Sequence, residues 1–361
     1  MAYEPSQIAQ QFAIRGSLLM AAPYGEGHIN HTYLIKTSQC EYLLQRINTD
    51  VFPHPEQVME NIVRVTDFLR QKILACGGDP LRETLTLIPT HNGQWFARTT
   101  DGDVFRMYRF VGGTTSYQVV EDPRHFYCAA KAFGRFQTML SDFPADELYE
   151  TIPNFHNTRS RFADFARAVE EDKMGRKKDV LPEIAFAMAH RELGGLIVDA
   201  LADGSLPLRV THNDTKLNNV LIDAFSCEGL CVIDLDTVMP GSLLYDFGDS
   251  IRFGANLVEE DEQDLSKVCL NLPLFDQFTR GFLEAVGDSI TPKETALLSE
   301  SAILMTLECG IRFLGDHLNG DTYFRIHREG QNLDRARTQL KLVEDMENRI
   351  DEMREVVKKY V

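Results

Sequence analysis

Positive charge is scarce in this chain. It has 37 Lys and Arg against 54 Asp and Glu, a formal net charge of −17. A nucleic-acid binder would carry a basic stripe instead. The acidic excess favours solubility and suits a cleft for a cationic acceptor. Long apolar runs are also missing: no window approaches the ~18 uninterrupted apolar residues of a membrane span, so no membrane association is expected. The opening MAYEPSQIAQQF has neither the basic nor the apolar segment of a signal peptide, and a cytoplasmic location is the expectation. The seven cysteines are scattered and form no C-x-x-C pair. Cys227 and Cys231 have no second pair with which to complete a zinc site. All seven read as reduced, mostly buried thiols. Internal repeats, low-complexity tracts and long linkers are likewise not found.

What is present is concentrated in residues 211–249. At 361 residues the chain is long enough for two lobes with cores of their own, and this stretch carries the chemistry. It contains His212-x-Asp214-x4-Asn219, a short apolar strand over 220–222, a polar turn, and a second strand over 230–233 that delivers Asp234 and Asp236. Asp246 follows ten residues after Asp236. Phosphoryl transfer from a nucleotide needs this set of groups. One Asp receives the proton of the acceptor hydroxyl, while an Asn and a second Asp hold Mg²⁺ on the triphosphate. In the kinase-like fold the catalytic loop reads H-x-D-x4-N and the metal Asp comes one hairpin later. Those positions are His212, Asp214, Asn219 and Asp234 here, with Asp234-Leu235-Asp236 in place of D-F-G.

The flanking chain supports a bilobal α+β reading: a small antiparallel-sheet lobe over 1–111 and a large, mainly helical lobe over 112–361. Residues 5–20 predict a short helix and a first turn. Gly25 and Gly27, followed by an alternating β-branched and aromatic run, predict a hairpin. G-x-G alone is a weak signal, and the tip is a plain tight turn unless other features establish a nucleotide site, in which case it covers phosphates. The strand over 41–47 falls where a kinase-like fold has its phosphate-binding Lys, and no Lys is there. Gln45 aligns with that position and Arg46 is next to it. Side chains alternate faces along a strand, so only one of the two points into the cleft, and the choice stays open. Helical periodicity covers 56–73, where Glu56 and Glu60 are candidates to pair with a strand cation or to stay solvated. Strands are expected over 85–90, 94–98 and 104–111. Gly112-Gly113 marks the hinge, where backbone near Arg109 to Val111 would bind adenine and Tyr108 or Phe110 would line its pocket or fill the sheet core. Helices are expected over 124–140, 182–202, 275–286, 292–317 and 335–360, while 155–178 is richer in charge and its run KMGRKK at 173–178 reads as a solvated bend.

The whole chain resembles the aminoglycoside phosphotransferase and choline kinase group of kinase-like enzymes. Within that group it is very similar to bacterial N-acetylhexosamine 1-kinases. The resemblance rests on YGEGHIN at 24–30, LQRIN at 44–48, LRVTHNDTKLNN at 208–219, IDLDT at 233–237, MPGS at 239–242, YDFGDSIRFG at 245–254 and ECGIRFL at 308–314. It implies transfer from ATP to the anomeric hydroxyl of N-acetylglucosamine or N-acetylgalactosamine, with ATP and Mg²⁺ between the lobes. It also implies Asp214 as base, Asn219 and Asp234 as metal ligands, and His212 and Asp246 bracing the loop. The acceptor pocket would include Arg312, Asp316 and Tyr323. A monomer acting on a sugar and ATP is expected. The alternatives are another small acceptor, such as an aminoglycoside or choline-like amine, and a nucleotide-binding scaffold without catalysis, which the missing strand Lys favours.

Overall fold

The computed structural model describes residues 3–25 and 30–361, so Gly27 lies outside the described residues. The chain divides into two compact units. Unit 1 comprises Met1–Thr115, Asp146–Pro153 and Leu221–Met239; unit 2 comprises Ser116–Ala145, Asn154–Val220 and Pro240–Val361.

Unit 1 is built on a five-stranded sheet ordered β1-β2-β3-β5-β4. The strands are β1 (Leu18–Pro23), β2 (His31–Thr37), β3 (Glu41–Ile47), β4 (Ala97–Arg98) and β5 (Val104–Arg109), and every pairing is antiparallel. Alternation along β3 separates two faces. Tyr42 and Leu44 join Ile8, Phe12, Ile35, Phe105 and Met107 in an apolar core on one face. Gln45, one residue on, belongs to the other. Helix α1 (Pro55–Ala75) buries Val58, Met59, Ile62, Val65, Leu69 and Ile73, the stripe its periodicity predicts.

A polar side chain interrupts that stripe. Asn61 is 1% exposed. Its Oδ1 accepts the Tyr149 N–H at 2.9 Å, and its Nδ2 donates to the carbonyls of Tyr149 at 2.8 Å and Val238 at 3.0 Å. One carboxamide thus fastens both distant segments of unit 1 to α1, because unpaired backbone groups buried there would be costly.

Two expected strands are shorter than the sequence suggests. Residues 85–90 meet β5 at the single bridge Leu87–Tyr108. Pro89 has no N–H to give a ladder, and Thr90 turns away to bridge Phe12. Of 94–98 only Ala97–Arg98 is strand. Glu56 pairs with Arg98, and Glu60 with Arg64 on its own helix at 2.6 Å.

Unit 2 is helical. Its main helices are α2 (Pro123–Met139), α3 (Thr158–Glu171), α4 (Leu243–Gly254), α5 (Leu272–Val286), α6 (Leu298–Asn319) and α7 (Gln331–Asn348). Asp122, Asn157 and Ser242 accept backbone N–H groups at the starts of α2, α3 and α4. Close packing of α4 on α6 depends on Gly248, where a Cβ would stand 2.5 Å from the Ser301 carbonyl oxygen. Helix α3 ends at Glu171, where Asp172 turns left-handed with φ 39°, and the run at 173–178 lies beyond it, as the bend read from the sequence requires. That expected over 335–360 starts at Gln331 and breaks at Arg349. The segment 182–202 is interrupted by a 3₁₀ turn, Arg191–Gly195.

A five-stranded antiparallel sheet with a large helical part is the α+β fold expected from the sequence. The thiols differ from expectation: only Cys231 is buried, and Cys76, Cys227 and Cys269 are exposed. No helix among the described residues is long and apolar enough to cross a membrane.

Candidate active site

In unit 2 the buried strand Arg209–Thr211 leads into the H-x-D-x4-N loop. Asp246, 1% exposed at the start of α4, holds that loop by its backbone. Its Oδ2 accepts the His212 N–H at 3.0 Å and Gln137 Nε2 at 2.7 Å, and its Oδ1 accepts the Asn213 N–H at 2.8 Å. Its own carbonyl takes the Thr215 hydroxyl at 2.6 Å. The His212 ring is wholly buried and meets Phe133 and Phe136 edge-on. Its Nδ1 accepts the Asp214 N–H at 3.2 Å. Asn213 sits at φ 66°, in the left-handed region that Asn tolerates better than most non-glycine residues.

These contacts bring the loop's functional side chains together. Asn219 Nδ2 donates to the Asp214 carbonyl at 2.8 Å and to Oδ2 at 3.1 Å. This leaves the carboxamide oxygen as the atom with which Asn219 would hold a cation. Lys216 Nζ is 2.8 Å from Asp214 Oδ1. Burial works to raise the Asp214 pKa, but Lys216, His212 and the Asn219 hydrogen bond outweigh it, and the carboxyl sits below its ordinary value. The carboxylate form, a hydrogen-bond acceptor, is thus favoured. Sequence reasoning did not single out Lys216; its place two residues after Asp214 was the available signal.

Unit 1 carries Asp234, at φ 60° and ψ 58°, and a 3₁₀ turn Leu235–Thr237. The turn is tied to the sheet by a row of polar groups. Thr32, Gln45 and Arg106 are directly opposite one another across β2, β3 and β5. Gln45 Nε2 donates to Thr32 Oγ1 at 3.1 Å, and Gln45 Oε1 accepts Arg106 Nε at 3.0 Å and Nη2 at 2.9 Å. Arg106 Nη1 pairs with Asp236 Oδ1. Asn30 Nδ2 donates to Asp236 Oδ2 at 2.6 Å. Arg106 is 1% exposed and Asp236 3%. Burial opposes the guanidinium charge, but Asp236, Tyr108 and Asp234 together hold it above the ordinary range. The cation that β3 lacks is thus on β5, directly opposite Gln45.

Gln45 and Arg46 point to opposite faces. Arg46 lies over the Tyr3 ring and pairs with Asp103 at 2.6 Å. Gly25 has φ 72°. At the expected hinge, the Arg109 N–H donates to the Thr86 carbonyl and the Phe110 N–H to that of Glu41. The Val111 carbonyl takes the Thr114 hydroxyl at 2.9 Å. The Val111 N–H has no partner among the described residues. Tyr108 is buried, with its ring under Arg106.

A second feature of unit 2 is a cavity of about 190 Å³, lined by Arg161, Phe165, Arg312, Asp316, Tyr323 and Phe324. The Arg312 guanidinium stands over the rings of Phe155, Tyr323 and Phe324 at 5.4–5.8 Å and has no carboxylate partner among the described residues. The Asp316 carboxylate is fully engaged. It accepts the N–H groups of Thr322, Tyr323 and Phe324 at 2.9–3.0 Å and Asn332 Nδ2 at 2.9 Å, so it shapes the loop that presents Tyr323. Arg161, which sequence reasoning missed, has a depressed pKa, first from burial and then from Arg312.

Comparisons with known proteins agree with this layout. Among solved structures, an aminoglycoside phosphotransferase from Alicyclobacillus acidocaldarius is similar at 12% identity and TM-score 0.60, over 99% of this chain and 98% of that one. A spectinomycin phosphotransferase in complex with ADP and spectinomycin matches at 14% identity and TM-score 0.58, over 92% and 94%. Choline kinase from Cryptosporidium parvum matches at 12% identity and TM-score 0.56, over 94% and 92%. At these identities the likeness is one of fold. Residues 21–269, more than half of the chain, match the APH phosphotransferase enzyme family. This chain belongs to that family.

Proposed function

We propose that the protein transfers the γ-phosphoryl group of ATP to the anomeric hydroxyl of an N-acetylhexosamine, giving the sugar 1-phosphate. Asp214 accepts the hydroxyl proton as the new P–O bond forms. Its ionised state and its tether to Asn219 orient that hydroxyl for in-line attack. The Val111 N–H supplies a backbone donor for adenine. Asn219 in unit 2 and Asp234 in unit 1 each carry a hard oxygen donor of the kind Mg²⁺ prefers, one carboxamide and one carboxylate. When bound, the ion would neutralise phosphate charge.

The observation that carries the acceptor class is the pair of arginines in the cavity of unit 2. Arg312 works against the charge of Arg161, so an ammonium group placed there would meet two positive neighbours. A neutral, oxygen-rich acceptor instead accepts hydrogen bonds from them, while the rings of Tyr323 and Phe324 cover its apolar face. The arginine pair thus supports a neutral sugar over a choline-like or aminoglycoside acceptor.

The test is ³¹P NMR of the products formed from Mg-ATP with N-acetylglucosamine, N-acetylgalactosamine, choline and an aminoglycoside. A phosphate resonance coupled to the anomeric proton is expected with at least one sugar. Phosphorylation of an amine acceptor and of neither sugar would overturn the assignment. Arg312→Ala is expected to raise the sugar KM by more than about tenfold, since a hydrogen bond to a charged group contributes about 1.5–3 kcal/mol. Steady-state kinetics across sugar concentration check this.

A further inference from the structure

We infer that His156, held by Glu308, is a positioning residue for the catalytic loop and connects that loop to the arginine cavity. Both ring nitrogens face acceptors. Nδ1 is 2.7 Å from Glu308 Oε1, and Nε2 is 3.3 Å from the Asn213 carbonyl oxygen. Each contact is within hydrogen-bond reach, so the ring is held between Glu308 on α6 and the backbone of the catalytic loop. Glu308 is 1% exposed, and its Oε2 takes the Thr158 hydroxyl at 2.5 Å. Burial acts against its charge, but His156, Arg312 and Thr158 prevail, and the carboxyl stays below its usual range. The pair is thus a buried carboxylate with a donor on each of its oxygens.

The consequence for Asp214 follows from the peptide groups beside it. Asn213 precedes Asp214 in a left-handed conformation. Its N–H is fixed by Asp246 and its carbonyl by His156. Removing the second contact weakens the hold on the peptide plane that sets the direction of the Asp214 side chain; the N–H of that plane, on Asp214, donates to His212 Nδ1 at 3.2 Å. On the cavity side the same dipeptide serves the arginines: the Phe155 ring lies under Arg312 at 5.6 Å, and the Phe155 carbonyl accepts Arg161 Nη2 at 2.9 Å. Glu308 and Arg312 are one turn apart on α6. The charged and titratable groups around the ring are therefore Glu308 and Arg312 on α6, Arg161 on α3, Tyr245 on α4 with its ring 5.1 Å away, and His212 and Asp214 on the loop. Burial raises the Tyr245 pKa, so it stays neutral beside the pair. An acceptor held by Arg312 and Arg161 is in this way joined through Phe155-His156 to the backbone that aims Asp214.

Two measurements on the full-length protein test the inference. The first is ¹⁵N imidazole NMR of the resting enzyme at the pH of the assay, with the His156 signal identified by its loss in His156→Gln, or in His156→Asn should the first variant fail to fold. A slowly exchanging Nδ1 proton hydrogen-bonded to Glu308 is expected; an Nδ1 in free exchange with solvent would overturn the inference. No acceptor is needed, so this arm is independent of the acceptor class proposed above. The second is kinetics with whichever acceptor the wild-type enzyme phosphorylates. His156→Gln is expected to lower kcat at least tenfold with acceptor KM within threefold. His190→Gln, which removes the partly exposed His190–Glu347 contact of the same unit, should leave kcat unchanged. Wild-type kcat in His156→Gln, or an equal loss in His190→Gln, would reject a positioning role.

Discussion

Asp214→Asn is expected to lower turnover by about 10²–10⁴-fold, the range associated with loss of a positioned general base, while nucleotide affinity changes little. The carboxamide has nearly the shape of the carboxylate and leaves the backbone brackets from Asn219 and Asp246 in place. What disappears is an ionised acceptor for the substrate proton. Turnover by product formation, with ADP binding by calorimetry alongside it, checks the expectation; full activity in the variant would remove Asp214 from the mechanism. The pH dependence has a definite sign. The folded-state pKa of Asp214 is lowered, so the active carboxylate persists as pH falls and is lost only below the ordinary Asp value of about 3.9. Lys216→Met removes the leading opposing charge at 2.8 Å. The acid limb of kcat should then move upward, toward or above that value.

How much of this site could be read from the sequence depended on distance along the chain. His212, Asp214 and Asn219 lie within eight residues, and their geometry is set by one loop, so spacing alone placed them together. The α1 stripe was also legible, because helical period determines which residues share a face. Asn61 was visible as an Asn inside that stripe, a signal that was available and passed over. Arg106 was different. The sequence places no Lys on β3, and only the register sets Gln45 opposite a buried cation, Arg106, on the neighbouring strand. His156 and Glu308 are separated by more than 150 residues and have no shared motif; only folding brings them to 2.7 Å. The helix break at Arg349 was not legible because the residue is neither Gly nor Pro.

The Arg106–Asp236 pair gives the largest expected effect on stability. Arg106→Met leaves the Asp236 carboxylate buried with the Asn30 amide as its remaining side-chain donor, and breaking one side of a buried ion pair costs about 3–5 kcal/mol. Urea unfolding should show the loss as a lower midpoint with little change in slope. The double variant Arg106→Met/Asp236→Leu removes both charges and should recover most of that stability, because an apolar pair no longer requires a counterion. Activity is expected to part company with stability here. Asp234 stands at φ 60° two residues before Asp236, and the polar row from Thr32 through Gln45 and Arg106 fixes the turn that follows it. The double variant should therefore fold well and still turn over slowly, with a raised requirement for Mg²⁺. Wild-type kcat and Mg²⁺ dependence in a stable double variant would show that the pair serves folding alone. Recovered stability with persistent loss of turnover would show that the charge on β5 orients the Asp234 turn for phosphoryl transfer.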